Sequence, residues 1–235
     1  MAESPTETPA PRSGDVAPRP HDAYADARAR NATGRWRWPD FIQVVLDKDP
    51  AARSALEVLL YPSVHALAMH RIAHALYRWD IPLVPRMISL FGRIVTGGIE
   101  IHPGARIGKR FFIDHGSGVV IGETAIIGDD VMLYHQVTIG ATGWWKDMGP
   151  DRRTRRRHPV IESHVTIGVG ASILGPVTIG ARSKIGALAI VTEDVPPDSI
   201  VVGPRATFLV KAGERVEHLL VHQLEVPDDY EDYAI

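Results

Sequence analysis

Aliphatic residues recur every six positions through the middle of the chain, between residues 101 and 191. The spacing is broken by a two-residue slip after Ile113 and by a longer interruption after Ile139. Sandwich strands alternate apolar and polar residues with period two, so a period of six predicts a different architecture. Thirteen positions share the pattern: Ile101, Ile107, Ile113, Ile121, Ile127, Leu133, Ile139, Ile161, Ile167, Ile173, Ile179, Ile185 and Val191.

This period predicts a parallel β-helix built from hexapeptide repeats. Each unit supplies one short strand and one turn, and three units complete a triangular coil that stacks on the next. The aliphatic residue of each unit is expected to point inward. Glycine often follows it, as at Gly108 and Gly122, and a small residue often lies four positions after it, as at Ala105 and Ala125. We expect glycine and small residues to fit the tight corners of the coil.

The repeat is flanked by segments of different character. Five prolines among the first twenty residues, with few large apolar residues, predict disorder. Apolar residues at helical spacing follow, with Ser63 after Pro62 as a predicted N-cap. The fold is therefore predicted as mainly β, with a small α-helical region before the β-helix. The predicted segments are a disordered arm (1–39), an α-helical region (40–98), a β-helix (99–203) with a protruding loop (141–159), and a C-terminal tail (204–235).

Composition narrows the range of functions. The 235 residues include 26 Lys and Arg against 28 Asp and Glu, a net charge of −2 that argues against general binding to nucleic acid or to an anionic membrane. The absence of cysteine excludes disulfides, thiolate metal sites and a cysteine nucleophile. No apolar run approaches the ~18 residues of a membrane helix, and the first residues lack an apolar signal segment. We therefore expect a cytoplasmic protein.

Chemistry is expected where the repeat is broken, because identical coils offer no cleft of their own. The natural cleft lies between neighbouring prisms of a cyclic oligomer. One break is the corner before the two-residue slip, a second is the end of the 141–159 loop, and a third lies in the helical region. The polar residues at these breaks are Asp49, Glu100, Asp114, His115, Arg157 and His158.

Three short motifs that contain these residues resemble motifs of the serine O-acetyltransferase family. They are DPAA (49–52), IDHG (113–116) and RHP (157–159), in that order along the chain, and the resemblance spans about residues 41–205. The repeat alone indicates a broader superfamily of acyl- and nucleotidyl-transferases. The resemblance implies a left-handed coil, acetyl transfer from acetyl-CoA to the hydroxyl of L-serine for cysteine biosynthesis, and no metal.

The predicted chemistry needs a group that removes the proton of the serine hydroxyl as that hydroxyl attacks. An imidazole, with an ordinary pKa near 6.5, suits this role at neutral pH. The resemblance places the general base at His115 and implies that Glu100 fixes its tautomer, while Asp114 lines the pocket. Without a cysteine, direct attack in a ternary complex is favoured over an acyl-thioenzyme.

The resemblance also assigns contacts to the substrate and to CoA. Asp49 would hold the serine ammonium group, and Arg157 with His158 would hold its carboxylate, where a planar guanidinium suits bidentate contact. The residues implied along the CoA groove are Ala141, Thr142, Val169 and Lys184.

The assembly and partners are also implied by the resemblance. A homotrimer is expected first and a dimer of trimers second. The acidic tail ends in Ile235, which in the family enters the active site of O-acetylserine sulfhydrylase; a frayed tail is the alternative. Cysteine is a candidate feedback inhibitor at the serine site.

Several alternatives stay open. The acceptor could be a homoserine-like amino acid or a sugar, because Trp144, Trp145 and an Arg-rich segment extend the loop before the RHP motif. The chain could instead be a non-catalytic partner of the sulfhydrylase. A γ-type carbonic anhydrase would need three zinc-binding histidines, which the spacing does not supply. His135 faces the same coil edge as His115, and both pocket lining and a solvated surface position are possible for it.

Overall fold

The structure is a computed structural model that describes residues 38–143 and 156–203, with short strands at 210–211 and 214–215. Most of the predicted arm, the centre of the predicted loop and the end of the tail with Ile235 lie outside the described residues.

Within the described residues, four helices precede the repeat. The prediction that Ser63 is an N-cap is wrong, because the third helix begins at Pro62 with Tyr61 as its N-cap residue, and Ser63 is buried in the first turn. Proline suits the first helical position, where its fixed φ is helical and its missing N–H would have no partner. The helices are α1 (Asp40–Lys48), α2 (Ala55–Val58), α3 (Pro62–Arg78) and α4 (Val84–Val95).

The repeat forms three parallel sheets, which are the faces of a triangular prism. Sheet A contains β1 (Glu100–Ile101), β4 (Val120–Ile121), β7 (Thr138–Gly140), β10 (Ser172–Leu174) and β13 (Ile190–Val191). Sheet B contains β2 (Arg106–Ile107), β5 (Ile126–Ile127), β8 (Val160–Ile161) and β11 (Thr178–Ile179). Sheet C contains β3 (Phe112–Ile113), β6 (Met132–Leu133), β9 (Thr166–Ile167), β12 (Lys184–Ile185) and β14 (Ile200–Val201). A separate antiparallel pair joins β15 (Val210–Lys211) and β16 (Glu214–Arg215).

The predicted inward column is confirmed. Every one of the thirteen aliphatic positions is buried, and equivalent residues of successive coils pair in register. On sheet A, for example, Ile101 pairs with Ile121, which pairs with Ile139. At roughly 25 cal/mol per Å² of buried apolar surface, this continuous column is the main stabilising feature of the prism.

The expected reason for glycine in the repeat is only partly right. Glycines such as Gly128 and Gly168 directly follow the inward aliphatic and do not need a left-handed backbone. A Cβ on Gly128 would lie 2.7 Å from the backbone nitrogen of Ser163 on the next coil. Many left-handed corner positions are held by non-glycine residues such as Arg110 and Asp130. Glycine is needed here because successive coils approach closely, not because the corner needs a positive φ.

The helices cover the open end of the prism. The first coil has no preceding coil whose N–H groups could donate to its carbonyls, so these carbonyls need other partners. Arg71 donates to the carbonyls of Ile107 and Gly108 at 2.7 Å each, and Ser89 donates to the carbonyl of Ile101 at 2.6 Å. The side chains of α3 and α4 thereby close the edge that the stack leaves unpaired.

An ion-pair cluster ties α1 to the side of the prism. The Arg110 guanidinium lies 2.9 Å from carboxylate oxygens of both Asp47 and Asp130, and the Arg110 backbone N–H donates to Asp40. This fixes the segment after α1, which contains Asp49, beside the coils. Within the described ranges, none of the helices is long and apolar enough to cross a bilayer.

Candidate active site

Two corners of the prism carry the predicted site residues. The CA corner comprises the turns that lead from sheet C to sheet A, including residues 114–119 and 134–137. The AB corner comprises the turns from sheet A to sheet B, including residues 122–125 and the described residues 141–143 and 156–159.

His115 lies on the first turn of the CA corner and points away from the aliphatic column. Its backbone is left-handed, with φ of 58°, and its side chain is 75% exposed. Its Nε2 lies 3.8 Å from Oδ1 of Asp114, close enough for an ion pair but longer than a hydrogen bond. The two-residue slip lies in this turn, where Gly116 and Gly118 also have positive φ. The slip therefore lengthens the corner that presents His115 to solvent.

Asp49 and Asp114 are related through Tyr61, a residue of the helical region. The Tyr61 hydroxyl donates a hydrogen bond of 2.9 Å to Oδ2 of Asp49, while Oδ1 of Asp49 accepts from the backbone of Ala51 at 2.8 Å. Burial, then the Asp49 hydrogen bond and charge, raise the pKa of Tyr61 to about 12, with smaller contributions from Glu57 and Asp114. Carboxylates from distant parts of the chain, Asp49 and Asp114 among them, thus act on one neutral hydroxyl.

Glu100, the predicted partner of His115, is held by arginines of α4. Its carboxylate accepts from Arg93 at 2.8 Å and lies 3.5 Å from Arg86. Its backbone N–H donates to the carbonyl of Val119, the last residue of the turn that carries His115. Glu100 therefore lies at the edge of that turn, and Asp114 is the carboxylate within ion-pair distance of the imidazole.

His158 is buried at the AB corner, with 7% of its surface exposed. Its Nδ1 accepts from the backbone N–H of Thr124 at 3.2 Å and lies 2.8 Å from the Thr124 hydroxyl. Because that hydroxyl accepts from the backbone N–H of Arg157 at 2.9 Å, it donates its own proton to Nδ1. A neutral His158 ring therefore carries its proton on Nε2. The ring packs over Gly122, where a Cβ would overlap it.

Arg157 is oriented by Glu123. Its guanidinium donates to Oε2 of Glu123 at 2.9 Å, and the Tyr77 hydroxyl donates to Oε1 at 3.0 Å. Burial raises the pKa of Glu123, but the hydrogen bond from Tyr77 and the positive charges of His102 and Arg157 outweigh it and leave the pKa below its usual value. Glu123 is therefore a carboxylate at neutral pH and holds Arg157 at the surface of the corner.

The predicted residues thus form two separate groups on one prism. His115 and Asp114 lie at the CA corner, whereas Arg157 and His158 lie at the AB corner. Asp49 lies between α1 and α2 and is linked to Asp114 through the charges of both on Tyr61. The predicted CoA contacts are divided too. Thr142 follows Ala141 in the AB corner, Val169 lies in a CA turn, and Lys184 lies on β12 of sheet C.

Tyr61, Thr124, Glu123 and Tyr77 were not identified from the sequence as site residues. Each acts by contacting a residue far away along the chain, so local spacing carried no signal for it. Among the described residues, no three His, Asp or Glu side chains are grouped so that they could hold a metal ion. The centre of the Trp- and Arg-rich loop lies outside the described residues.

Comparisons with known proteins bear on the fold and the family. Residues 158–193 match the family described as bacterial transferase hexapeptide (six repeats). The chain is 50% identical over 192 residues to a serine acetyltransferase of Bacillus subtilis, covering 81% of this chain and 84% of the relative.

Solved structures are similar as well. A serine acetyltransferase of Entamoeba histolytica in complex with cysteine has a TM-score of 0.66 and 40% identity over 72% of this chain. A serine acetyltransferase of Brucella abortus in complex with coenzyme A has a TM-score of 0.62 and 38% identity over 71% of this chain. The chain spans 58% and 63% of those two proteins. The predicted left-handed parallel β-helix is confirmed by this likeness.

Proposed function

The chain belongs to the serine acetyltransferase family, and we propose that it transfers the acetyl group of acetyl-CoA to the hydroxyl of L-serine. The products are O-acetylserine, for cysteine biosynthesis, and free CoA. The observation that carries the proposal is the exposed His115 beside Asp114 at one corner of the prism, with the charges of Asp114 and Asp49 both acting on Tyr61. The Brucella relative with bound coenzyme A supports acetyl-CoA as the co-substrate.

His115 is the general base in this reaction. Its imidazole takes the proton of the serine hydroxyl while the hydroxyl oxygen attacks the thioester carbon. The tetrahedral intermediate collapses by breaking the carbon–sulfur bond. The leaving CoA thiolate then receives the serine proton from the imidazolium. Asp114, 3.8 Å away, stabilises the transient imidazolium. The resemblance assigns the ring tautomer to Glu100, whose backbone lies at the edge of the same turn and whose carboxylate is paired with Arg93 and Arg86. Direct attack fits a chain without cysteine.

Opposite charges hold the two ends of the amino acid. The Asp49 and Asp114 carboxylates bind the ammonium group, while Arg157, with His158, binds the carboxylate. With both ends fixed, the hydroxyl is aimed at His115. This pattern favours an α-amino acid over a sugar acceptor, because a sugar offers neither charge.

The site is formed between two subunits. Since His115 and Arg157 lie at different corners of one prism, we assign the CA corner of one subunit to face the AB corner of its neighbour. A three-fold ring repeats this contact three times, which supports a homotrimer, with a dimer of trimers as the second possibility. Acetyl-CoA then lies in the groove between prisms, in contact with Ala141 and Thr142 of one subunit and Val169 and Lys184 of the other.

A subunit-mixing experiment tests this arrangement. His115→Ala and His158→Asn are each expected to be inactive; the asparagine keeps an acceptor for Thr124. When the two variants are co-expressed in equal amounts, about three-quarters of the trimers contain both. Each mixed trimer has one complete site out of three, so the mixture should have about one quarter of wild-type activity. A site contained within one chain would give no activity in the mixture. The rate is followed as free CoA thiol released with serine, homoserine and simple sugars, which also decides the acceptor.

Two further proposals concern partners. Cysteine occupies the serine site, supported by the Entamoeba relative with bound cysteine, and inhibition should therefore be competed away by serine. The family resemblance assigns Ile235 to the active site of O-acetylserine sulfhydrylase, where it takes the place of an amino acid. Deletion of Ile235 should abolish co-purification with that enzyme, and unchanged co-purification would contradict the idea. The cytoplasmic location stays a prediction.

A further inference from the structure

We propose that His135 is a positioning residue for His115: its ring packs against the imidazole of the base and keeps that imidazole aimed at the serine hydroxyl. The proposal rests on the proposed function, in which His115 removes the hydroxyl proton. It adds a residue of the next coil to the site.

His135 is the equivalent of His115 on the next coil. Strands β3 and β6 pair in register, so that Ile113 lies beside Leu133, and each histidine follows its aliphatic residue by two positions. The turns differ in backbone: His115 itself is left-handed, with φ of 58°, whereas Gln136 takes this conformation in the second turn, with φ of 60°. The two imidazoles are therefore neighbours along the prism axis, on turns of different backbone conformation.

The two rings are in edge-to-face contact. Their centroids lie 5.9 Å apart and their planes are inclined by 81°, which is the geometry that aromatic pairs favour. His115 is three-quarters exposed, and its nearest carboxylate, on Asp114, is beyond hydrogen-bond distance. The His135 ring is therefore a surface against which the His115 ring can rest.

His135 itself is held by packing and by its backbone. Its carbonyl accepts a 3.0 Å hydrogen bond from Gly170 on the third coil. Its Nδ1 is buried without a hydrogen-bond partner in the part of the chain that the structure describes. Because a buried N–H without an acceptor is costly, a neutral His135 ring keeps its proton on Nε2. The observed contact thus depends on the shape of the ring and not on a hydrogen bond from Nδ1.

A general base must be aimed correctly, and a displacement of about 1 Å can cost about 100-fold in rate. We therefore expect His135→Ala to lower kcat about tenfold to 100-fold, with a change of less than about threefold in the KM for serine. His135→Phe keeps a planar ring and should retain kcat within about threefold of wild type. His164→Asn is the matched control: this exposed histidine lies on the BC side with φ of 64°, which asparagine tolerates, and kcat should not change.

The comparison of alanine and phenylalanine decides the role. Loss of kcat in both variants would overturn positioning by the ring and assign proton transfer to His135. Wild-type kcat in His135→Ala would overturn any role for this residue. Thermal unfolding and gel filtration confirm that the variants fold and assemble. If His135→Ala does not, His135→Gln, which also removes the ring, replaces it.

A double-mutant cycle separates this proposal from the proposed function. If His135 acts through His115, adding His135→Ala to His115→Ala should change the residual rate less than about twofold. An additive further loss would overturn the proposal. Full activity of His115→Ala alone would instead overturn the proposed mechanism, independently of any result for His135.

Discussion

The Arg157 guanidinium and the Glu123 carboxylate form a 2.9 Å ion pair across two successive coils at the AB corner. Tyr77 of α3 donates to the other oxygen of the same carboxylate. The helical region therefore does more than cover the end of the prism, because it also fixes the group that we assign to the serine carboxylate.

Replacement of Glu123 should weaken serine binding. Glu123→Gln removes the charge that orients Arg157, and we expect the KM for serine to rise about tenfold, with a smaller change in kcat. Steady-state kinetics at saturating acetyl-CoA measures both. Asp198→Asn is the control, since its ion pair with Arg182 is more than half exposed on both sides and such pairs contribute little. An unchanged KM in Glu123→Gln would remove Glu123 from the site.

Removal of the base should abolish turnover without unfolding the protein. We expect His115→Ala to lower kcat by about 100-fold to 10,000-fold, the usual contribution of a general base. Because this side chain is mostly exposed, the thermal midpoint should stay within a few degrees of wild type. The rate is measured as thiol release and the midpoint by circular dichroism. A kcat close to wild type would show that another group takes the proton.

Acid should destabilise the helical region through His70. Burial, with smaller effects of His74, Arg71 and His102, lowers the pKa of His70 to about 3 from 6.5. Between these values the unfolded chain binds a proton that the folded chain does not, so the free energy of unfolding falls as the pH decreases.

His70→Met removes this dependence while keeping a buried apolar side chain. The stability advantage of wild type over the variant should decrease by about 2 kcal/mol between pH 7 and pH 5. Urea unfolding at a fixed protein concentration measures it. Parallel pH curves for the two proteins would contradict the assignment.

A methyl group at Gly122 should disturb His158. Its Cβ would overlap the imidazole, so Gly122→Ala must displace the ring from Thr124, and we expect at least a tenfold loss in kcat/KM for serine. Gly92→Ala is the control: its Cβ would lie an ordinary 3.6 Å from Met69, and alanine favours the helix by about 0.5–1 kcal/mol. Equal kinetics for the two variants would argue against a role of His158 in serine binding.

The sequence predicted the repeat accurately because the signal is local and redundant. Each inward aliphatic, from Ile101 to Val191, repeats the same physical requirement, and one substitution does not obscure a period that thirteen positions share. It also predicted that the two-residue slip after Ile113 and the RHP motif mark chemistry, since both interrupt that period.

Long-range contacts were not predictable in the same way. Tyr61 donates a hydrogen bond to Asp49 and lies within reach of the charge of Asp114. Glu100 pairs with Arg93 of α4. Both contacts depend on how the helices pack on the first coils. The glycines that directly follow an inward aliphatic, such as Gly128, are needed because the next coil approaches closely, whereas left-handed corners such as Arg110 accept other residues. The spacing of residues along the sequence does not predict contacts of this kind.

By itself, then, the sequence determined the six-residue period, the buried column and the residue types that can take a proton or bind an amino acid. The tertiary structure decided which of these residues share a corner. The reason is geometric. Inward burial is set by each hexapeptide alone. The placement of His115 beside His135, and of His158 at another corner, follows instead from strand register and from how the coils stack.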